Sequence, residues 1–125
     1  MQASTFPAGK RILVVEDDLA ICETLACLLR AMGHEVDFAV TGYAALDVAS
    51  RFRPDIVILD LGLPDIDGCV VAAGLRALAG PRALRIVVVS GRGRPGDHER
   101  SLWAGCNEYF VKPIHPVLLE SLLAA

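Results

Sequence analysis

Short apolar runs alternate with stretches of helical spacing along most of this chain, and that alternation leaves few folds open. Arg11–Val15 reads as a first strand. Leu19–Met32 then reads as a helix, with Asp18 placed to cap its start and Gly33 to end it. Val36, Phe38 and Val40 alternate with polar or small residues as a second strand. Thr41 opens a second helix to about Phe52, with Tyr43, Leu46 and Ala49 on one side. Ile56–Leu59 is a continuous apolar run ended by Asp60, and Asp67 can cap a third helix from about Gly68 to Leu78. Ile86–Val89 forms a fourth strand stopped by Ser90 and Gly91. Pro95-Gly96-Asp97 begins a fourth helix ending near Gly105, Glu108–Val111 is a short fifth strand, and Pro116–Leu123 is a final helix.

Strands that alternate with helices pair in parallel, with helices on both faces. The third and fourth strands are apolar on consecutive residues, as central parallel strands buried on both faces should be. The right-handed crossover rule then leaves an α/β fold: a doubly wound five-stranded parallel sheet in the order 2-1-3-4-5, flavodoxin-like, with five helices. Residues 1–9 show no periodicity and are expected to be a flexible tail, leaving 10–125 as one domain.

Composition narrows the function. The 12 Lys and Arg against 15 Asp and Glu give a net charge of −3, which offers no grip on nucleic-acid phosphates. No apolar run approaches the roughly 18 residues of a membrane span. The first ten residues carry no long apolar core, so no secretory signal is expected and the cytoplasm is the expected compartment. Cys22, Cys27, Cys69 and Cys106 form no Cys-x-x-Cys pair, and His34, His98 and His115 complete no zinc spacing, so the cysteines read as small hydrophobes.

In a doubly wound sheet the ligand crevice lies beyond the carboxyl ends of the strands, where the strand order reverses. Strand one ends in Glu16-Asp17-Asp18 and strand three in Asp60, so at least three carboxylates enter one crevice. Two unit charges about 5 Å apart repel by about 3 kcal/mol at an effective dielectric of about 20. Such a cluster calls for raised pKa values or a bound cation, and its oxygen ligands suit Mg²⁺ or Mn²⁺ better than zinc. Ser90 adds a hydroxyl at the end of strand four, and Lys112-Pro113 an ammonium at the end of strand five. Singly these read as a turn serine and a solvated lysine, and Asp18 as a helix cap. Together they can hold a phosphoryl group on a carboxylate.

These residues resemble the receiver domain of two-component response regulators. The resemblance rests on Ile12-Leu13-Val14-Val15-Glu16-Asp17-Asp18, Pro54-Asp55-Ile56-Val57-Ile58-Leu59-Asp60-Leu61-Gly62-Leu63-Pro64, Asp67-Gly68, Val88-Val89-Ser90-Gly91 and Tyr109-Phe110-Val111-Lys112-Pro113. It implies that Asp60 accepts a phosphoryl group from a histidine kinase or a histidine phosphotransfer domain. It implies Mg²⁺ held by Glu16, Asp17, Asp60 and the backbone carbonyl of Gly62, with Ser90 and Lys112 on the phosphoryl oxygens. Tyr109 would be the aromatic switch that moves as Ser90 closes. The stretch Asp60-Leu61-Gly62-Leu63-Pro64 also resembles receivers attached to hybrid sensor kinases, and the sequence leaves open a stand-alone regulator or a fragment of a larger one.

The pattern varies at Glu16, where Asp is frequent, and at Ser90, where Thr is frequent. Gly62 and Arg92 stand at positions that, in this family, border the path of the hydrolytic water. Gly62, without a side chain, is expected to admit water and Arg92 to shield the phosphoryl group, which leaves its lifetime open. On helix one, Ile21, Leu25, Leu28 and Met32 are expected to face the core, and Leu19, Cys22 and Ala26 to form a second row that docks the phosphodonor. The alternative is one wide buried stripe. Leu102, Trp103 and Tyr109 lie on the fourth helix and fifth strand, the face through which related domains signal or form homodimers, though Trp103 could equally be core. An aspartyl phosphatase would want Asp-x-Asp after strand one and a cap region. A flavin or nucleotide binder would want a Gly-rich loop where this chain has three acids. A receiver-shaped module without phosphate chemistry would not need the full acid, hydroxyl and lysine set.

Overall fold

Central strands buried on both faces organise the domain, which a computed structural model describes over residues 9–91 and 95–124. The elements are β1 (Arg11–Val15), α1 (Leu19–Ala31), β2 (Glu35–Ala39), α2 (Gly42–Phe52), β3 (Ile56–Leu59), α3 (Gly68–Ala79), β4 (Arg85–Ser90), α4 (Asp97–Trp103), β5 (Glu108–Val111) and α5 (Pro116–Ala124). The strands form one sheet in the order β2-β1-β3-β4-β5, every pairing parallel. The expected topology is the one found. The proposed tail at 1–9 and Arg92 lie outside the described residues, apart from Gly9.

Alternate residues of the central strands feed two cores. Leu13, Val15, Val57, Leu59, Ile86 and Val88 point to one face, where Ala45 and Ala49 of α2 and Val71, Ala72 and Leu75 of α3 cover them. Ile12, Val14, Ile56, Ile58, Val87 and Val89 point to the other, beneath α1 and α5. Each fully buried Leu, Ile or Val contributes about 1.5–3 kcal/mol relative to exposure.

The helix starts are set by side chains read as caps. Asp18 accepts from the amides of Ala20 at 2.9 Å and Ile21 at 3.3 Å, Thr41 from Ala44 at 3.1 Å, and Asp67 from Cys69 at 2.8 Å. Each such cap is worth about 1 kcal/mol. Asp65 in the β3–α3 loop accepts from the amides of Gly42 and Tyr43 at 2.7 and 2.9 Å, tying that loop to α2. At Gly68 a Cβ would stand 2.6 Å from the backbone of Leu61, so only glycine lets α3 start this close to the residue after Asp60.

Helix α1 is rotated from the expected orientation. Its fully buried row is Cys22, Ala26 and Leu29, while Ile21 and Leu28 are 38% and 37% exposed and Leu25 and Met32 are only partly buried. Cys22 and Ala26 therefore cannot dock a partner, and Leu19, half exposed, is what remains of that trio on the surface. The small side chains of Cys22 and Ala26 let the helix axis approach the sheet, and the Cys22 thiol also donates to the carbonyl of Glu16 at 3.1 Å. On α2, Tyr43 is exposed and the buried row is Ala45 and Ala49, again the smaller residues.

Candidate functional site

Parallel register brings the predicted site residues to one end of the sheet. Val15 pairs with Leu59, so the next residues, Glu16 and Asp60, leave neighbouring strands at the same level. Their amides are held in turn: Glu16 donates to the carbonyl of Ala39 at 3.1 Å, and Asp60 to that of Val15 at 2.9 Å. Ser90 pairs with Val111, and the amide of Lys112 donates to the carbonyl of Ser90 at 2.6 Å, which places the lysine beside the acids. The Lys112–Pro113 peptide is cis.

Four of the predicted side chains converge. The Lys112 ammonium donates to Glu16 Oε2 at 2.6 Å and to Asp60 Oδ2 at 3.2 Å. Glu16 and Asp60 are buried and Asp17 is exposed, yet one carboxylate oxygen from each lies within 4.8 Å of the others. An octahedral Mg²⁺ with bonds of about 2.1 Å spaces its ligands by about 3 to 4 Å, so the three oxygens fit the ion after a small contraction. Ser90 is buried in the wall beside Asp60. Tyr109 lies on β5, half-buried, near the start of the strand and three residues before Lys112.

Electrostatics follow from this packing. Burial pushes the Glu16 carboxyl above its ordinary value, its hydrogen bond from Lys112 pulls the other way, and Asp60 pushes it up again. For Lys112, burial disfavours the charge, but the hydrogen bond to Glu16 and the negative charge of Asp60 outweigh it and hold the ammonium above its usual range. Three carboxylates against one ammonium leave the pocket short of positive charge, which is the condition under which a divalent cation binds.

Several contacts were not legible beforehand. The Gly62 amide donates to Asp60 Oδ1 at 3.0 Å, so the residue expected to offer a carbonyl also orients the carboxylate. His98 of α4 stacks on Tyr109, with ring centroids 5.0 Å apart and 15° between planes. Arg100 pairs with Asp97 one turn earlier in α4 and also with Asp67, 33 residues away, a link that no local pattern announces. Two cavities open at Asp60. One is a cleft of about 280 Å³ reaching Ser90 and Arg100. The other is an apolar groove of about 400 Å³ between α1 and the start of α5, lined by Ile21, Leu25, Pro113, Ile114 and Leu119 and ending on Glu16, Asp60 and Lys112.

A doubly wound domain with an acid cluster and a lysine at its topological switch point offers carboxylate oxygens and one positive charge there, where a nucleotide phosphate would call for a loop of backbone amides. A family model described as the response regulator receiver domain matches residues 12–124. The transcriptional regulatory protein KdpE of Mycobacterium tuberculosis is 41% identical over 103 residues, covering 82% of this chain and 44% of that protein. The transcriptional regulatory protein PrrA of Mycobacterium leprae is 39% identical over 106 residues, covering 85% of this chain and 45% of that protein. This chain thus spans less than half the length of these curated relatives. Among solved structures, the receiver domain of sensor histidine kinase PA1611 from Pseudomonas aeruginosa PAO1 superposes with a TM-score of 0.81 at 33% identity, covering 93% of this chain and 95% of that one. That domain carries a magnesium ion coordinated in its active-site cleft. The chain belongs to the response regulator receiver domain family of two-component systems. Among the described residues, no helix is long and apolar enough to cross a membrane.

A metal-dependent stability follows from the acid cluster. Magnesium at about one hundred times its dissociation constant should add about 2.7 kcal/mol to the unfolding free energy. Without metal, a carboxyl whose folded pKa exceeds its unfolded one favours the fold in its protonated form; that contribution is full below the unfolded value and lost as pH rises through the folded one. Magnesium needs the ionised form, so its stabilising effect should shrink as pH falls through the raised Glu16 value. Thermal melts with and without Mg²⁺ across the acid range check both signs, and a metal effect independent of pH would contradict them.

Proposed function

We propose that Asp60 is the phosphoacceptor of a two-component phosphorelay and that the donor is a phosphohistidine on a histidine kinase or a histidine phosphotransfer domain. The observation that carries this reading is the Lys112 ammonium bridging the Glu16 and Asp60 carboxylates at 2.6 and 3.2 Å. In the transfer an Asp60 carboxylate oxygen attacks phosphorus and the bond to the donor imidazole nitrogen breaks. The electron pair stays on that nitrogen, which takes up a proton. Mg²⁺, or Mn²⁺ in its place, held by Glu16, Asp17, Asp60 and the Gly62 carbonyl, would neutralise charge on the phosphoryl oxygens. Lys112 supplies the protein's own positive charge to those oxygens, and the Gly62 amide fixes the carboxylate for attack. Ser90 donates its hydroxyl to a phosphoryl oxygen, and Tyr109 follows it between two positions. The domain thus acts as a switch that catalyses its own loading and unloading, in the cytoplasm, rather than as a conventional enzyme.

The apolar groove supports a docking place for the donor. It opens onto the acceptor, and exposed Ile21 of α1 lines it, in place of the buried Cys22 and Ala26. A glutamate at Ile21 should cut transfer from a phosphohistidine protein by about tenfold, the cost of about one lost apolar anchor at an interface. Loading by acetyl phosphate, which needs no docking, should be unchanged. Equal loss with both donors would contradict the docking role. On the face made by α4, β5 and α5, exposed Leu102, Trp103, Val111 and Val117 fit pairing with a second copy of the domain.

A further inference from the structure

The cleft above Asp60 has two banks. Leu61, Gly62 and Asp67, in the loop from β3 to α3, form one; Ser90 and Gly91 at the end of β4, with Asp97 and Arg100 of α4, form the other. Arg100 crosses between them. One guanidinium nitrogen pairs with Oδ2 of Asp67 on the far bank, and the other with Oδ1 of Asp97 on its own bank at 3.3 Å. Asp67 is itself fixed, because its other oxygen caps α3. Asp97 is buried, so the near anchor is fixed as well. Among the described residues no other ion pair joins the two banks.

We propose that Arg100 is a positioning residue that straps the phosphoryl cleft and sets how often it is open to small molecules. The proposal rests on the reading that Asp60 carries the phosphoryl group. Loss of that group is hydrolysis: water attacks phosphorus, the bond from phosphorus to the Asp60 oxygen breaks, and the products are the carboxylate and inorganic phosphate with water's protons. Water must enter in line with that bond, and so must the phosphorus of a small donor during loading. A strap across the opening slows both. The link is exposed, with about half of the Arg100 side chain open to solvent, so it is of the strength that breaks and remakes readily. The two carboxylates are met by two separate nitrogens of the planar guanidinium, whereas a lysine would have to reach both from the single nitrogen of a shorter side chain.

The test compares wild type, Arg100→Ala and Arg100→Lys with acetyl phosphate and Mg²⁺. Loading rate, dephosphorylation rate after donor removal, and steady-state label are followed by intact mass. Removing the strap should raise both rates by about threefold, what one exposed ion pair of ordinary strength is worth. The steady-state level should stay the same if acetyl phosphate and water both enter by this cleft, as the strap requires. A changed level, meaning that one of them enters by the apolar groove, would overturn it; lysine should fall between. Raising ionic strength from about 0.1 to 1 M, which shortens screening from about 10 to 3 Å, should bring the ratio of the alanine to the wild-type rate toward one, while effects on Mg²⁺ and donor binding are common to both proteins. The Mg²⁺ midpoint should not change. Unchanged rates overturn the strap, and so does slower loading with faster loss, which would mean that Arg100 touches the phosphoryl group directly. A shifted Mg²⁺ midpoint would reduce the residue to a structural one. If wild type takes up no label, the phosphoacceptor reading itself fails and the strap with it.

Discussion

Asparagine at position 60 is expected to abolish covalent phosphoryl uptake while leaving the domain folded. The amide has nearly the same shape as the carboxylate but no anionic oxygen with which to attack phosphorus. It also offers one acceptor where the carboxylate offers two, and the two existing donors, the Gly62 amide at 3.0 Å and Lys112 at 3.2 Å, use separate oxygens. One of them loses its partner. Against that cost stands relief of repulsion, because Asp60 is among the groups that push the Glu16 carboxyl up. Stability should therefore change by no more than about 1–2 kcal/mol, while mass spectrometry after acetyl phosphate treatment shows no label. Undiminished labelling of Asp60→Asn would move the acceptor elsewhere.

Loss of the Lys112 ammonium should have the second-largest effect. Lys112→Ala is expected to slow loading by about 10²- to 10³-fold, the usual cost of removing one preorganised charge from a reacting centre. The structural consequence has its own sign. Two buried carboxylates lose their shared counter-charge, worth about 1–3 kcal/mol in stability. The hydrogen bond that lowers the Glu16 pKa also disappears, so that carboxyl rises further. The variant should be weakest near neutral pH and recover on acidification, which neutralises Glu16. Added Mg²⁺ should also restore it, by supplying the missing charge. Mg²⁺ affinity should hold or increase while loading falls, a split that a general folding defect would not produce. Parallel loss of metal binding and loading would contradict this role.

The sheet was legible because its signals are local and redundant. Ile56–Leu59 and Ile86–Val89 are apolar on every residue, as two-sided burial requires, and Asp18, Thr41 and Asp67 mark helix starts in the positions where they cap. Once the topology is fixed, strand ends deliver Glu16, Asp60, Ser90 and Lys112 to one place without further information. Helix α1 was misread because apolar rows run down two of its sides. Size favoured Ile21 and Leu28 as core, whereas close approach to the sheet selected Cys22 and Ala26. The Arg100 link to Asp67, the stack of His98 on Tyr109 and the Gly62 amide on Asp60 depend on side-chain direction in loops and a short helix. No sequence period encodes those directions.

The central claim is that an acyl phosphate forms on one particular carboxylate among three that share a pocket. Borohydride reduction of the acetyl phosphate-treated domain, followed by peptide mass mapping, reads this directly, since an aspartyl phosphate is converted to homoserine. The account predicts homoserine at position 60 alone, dependent on Mg²⁺. Reduction product at Glu16 or Asp17, or at no residue, would contradict it.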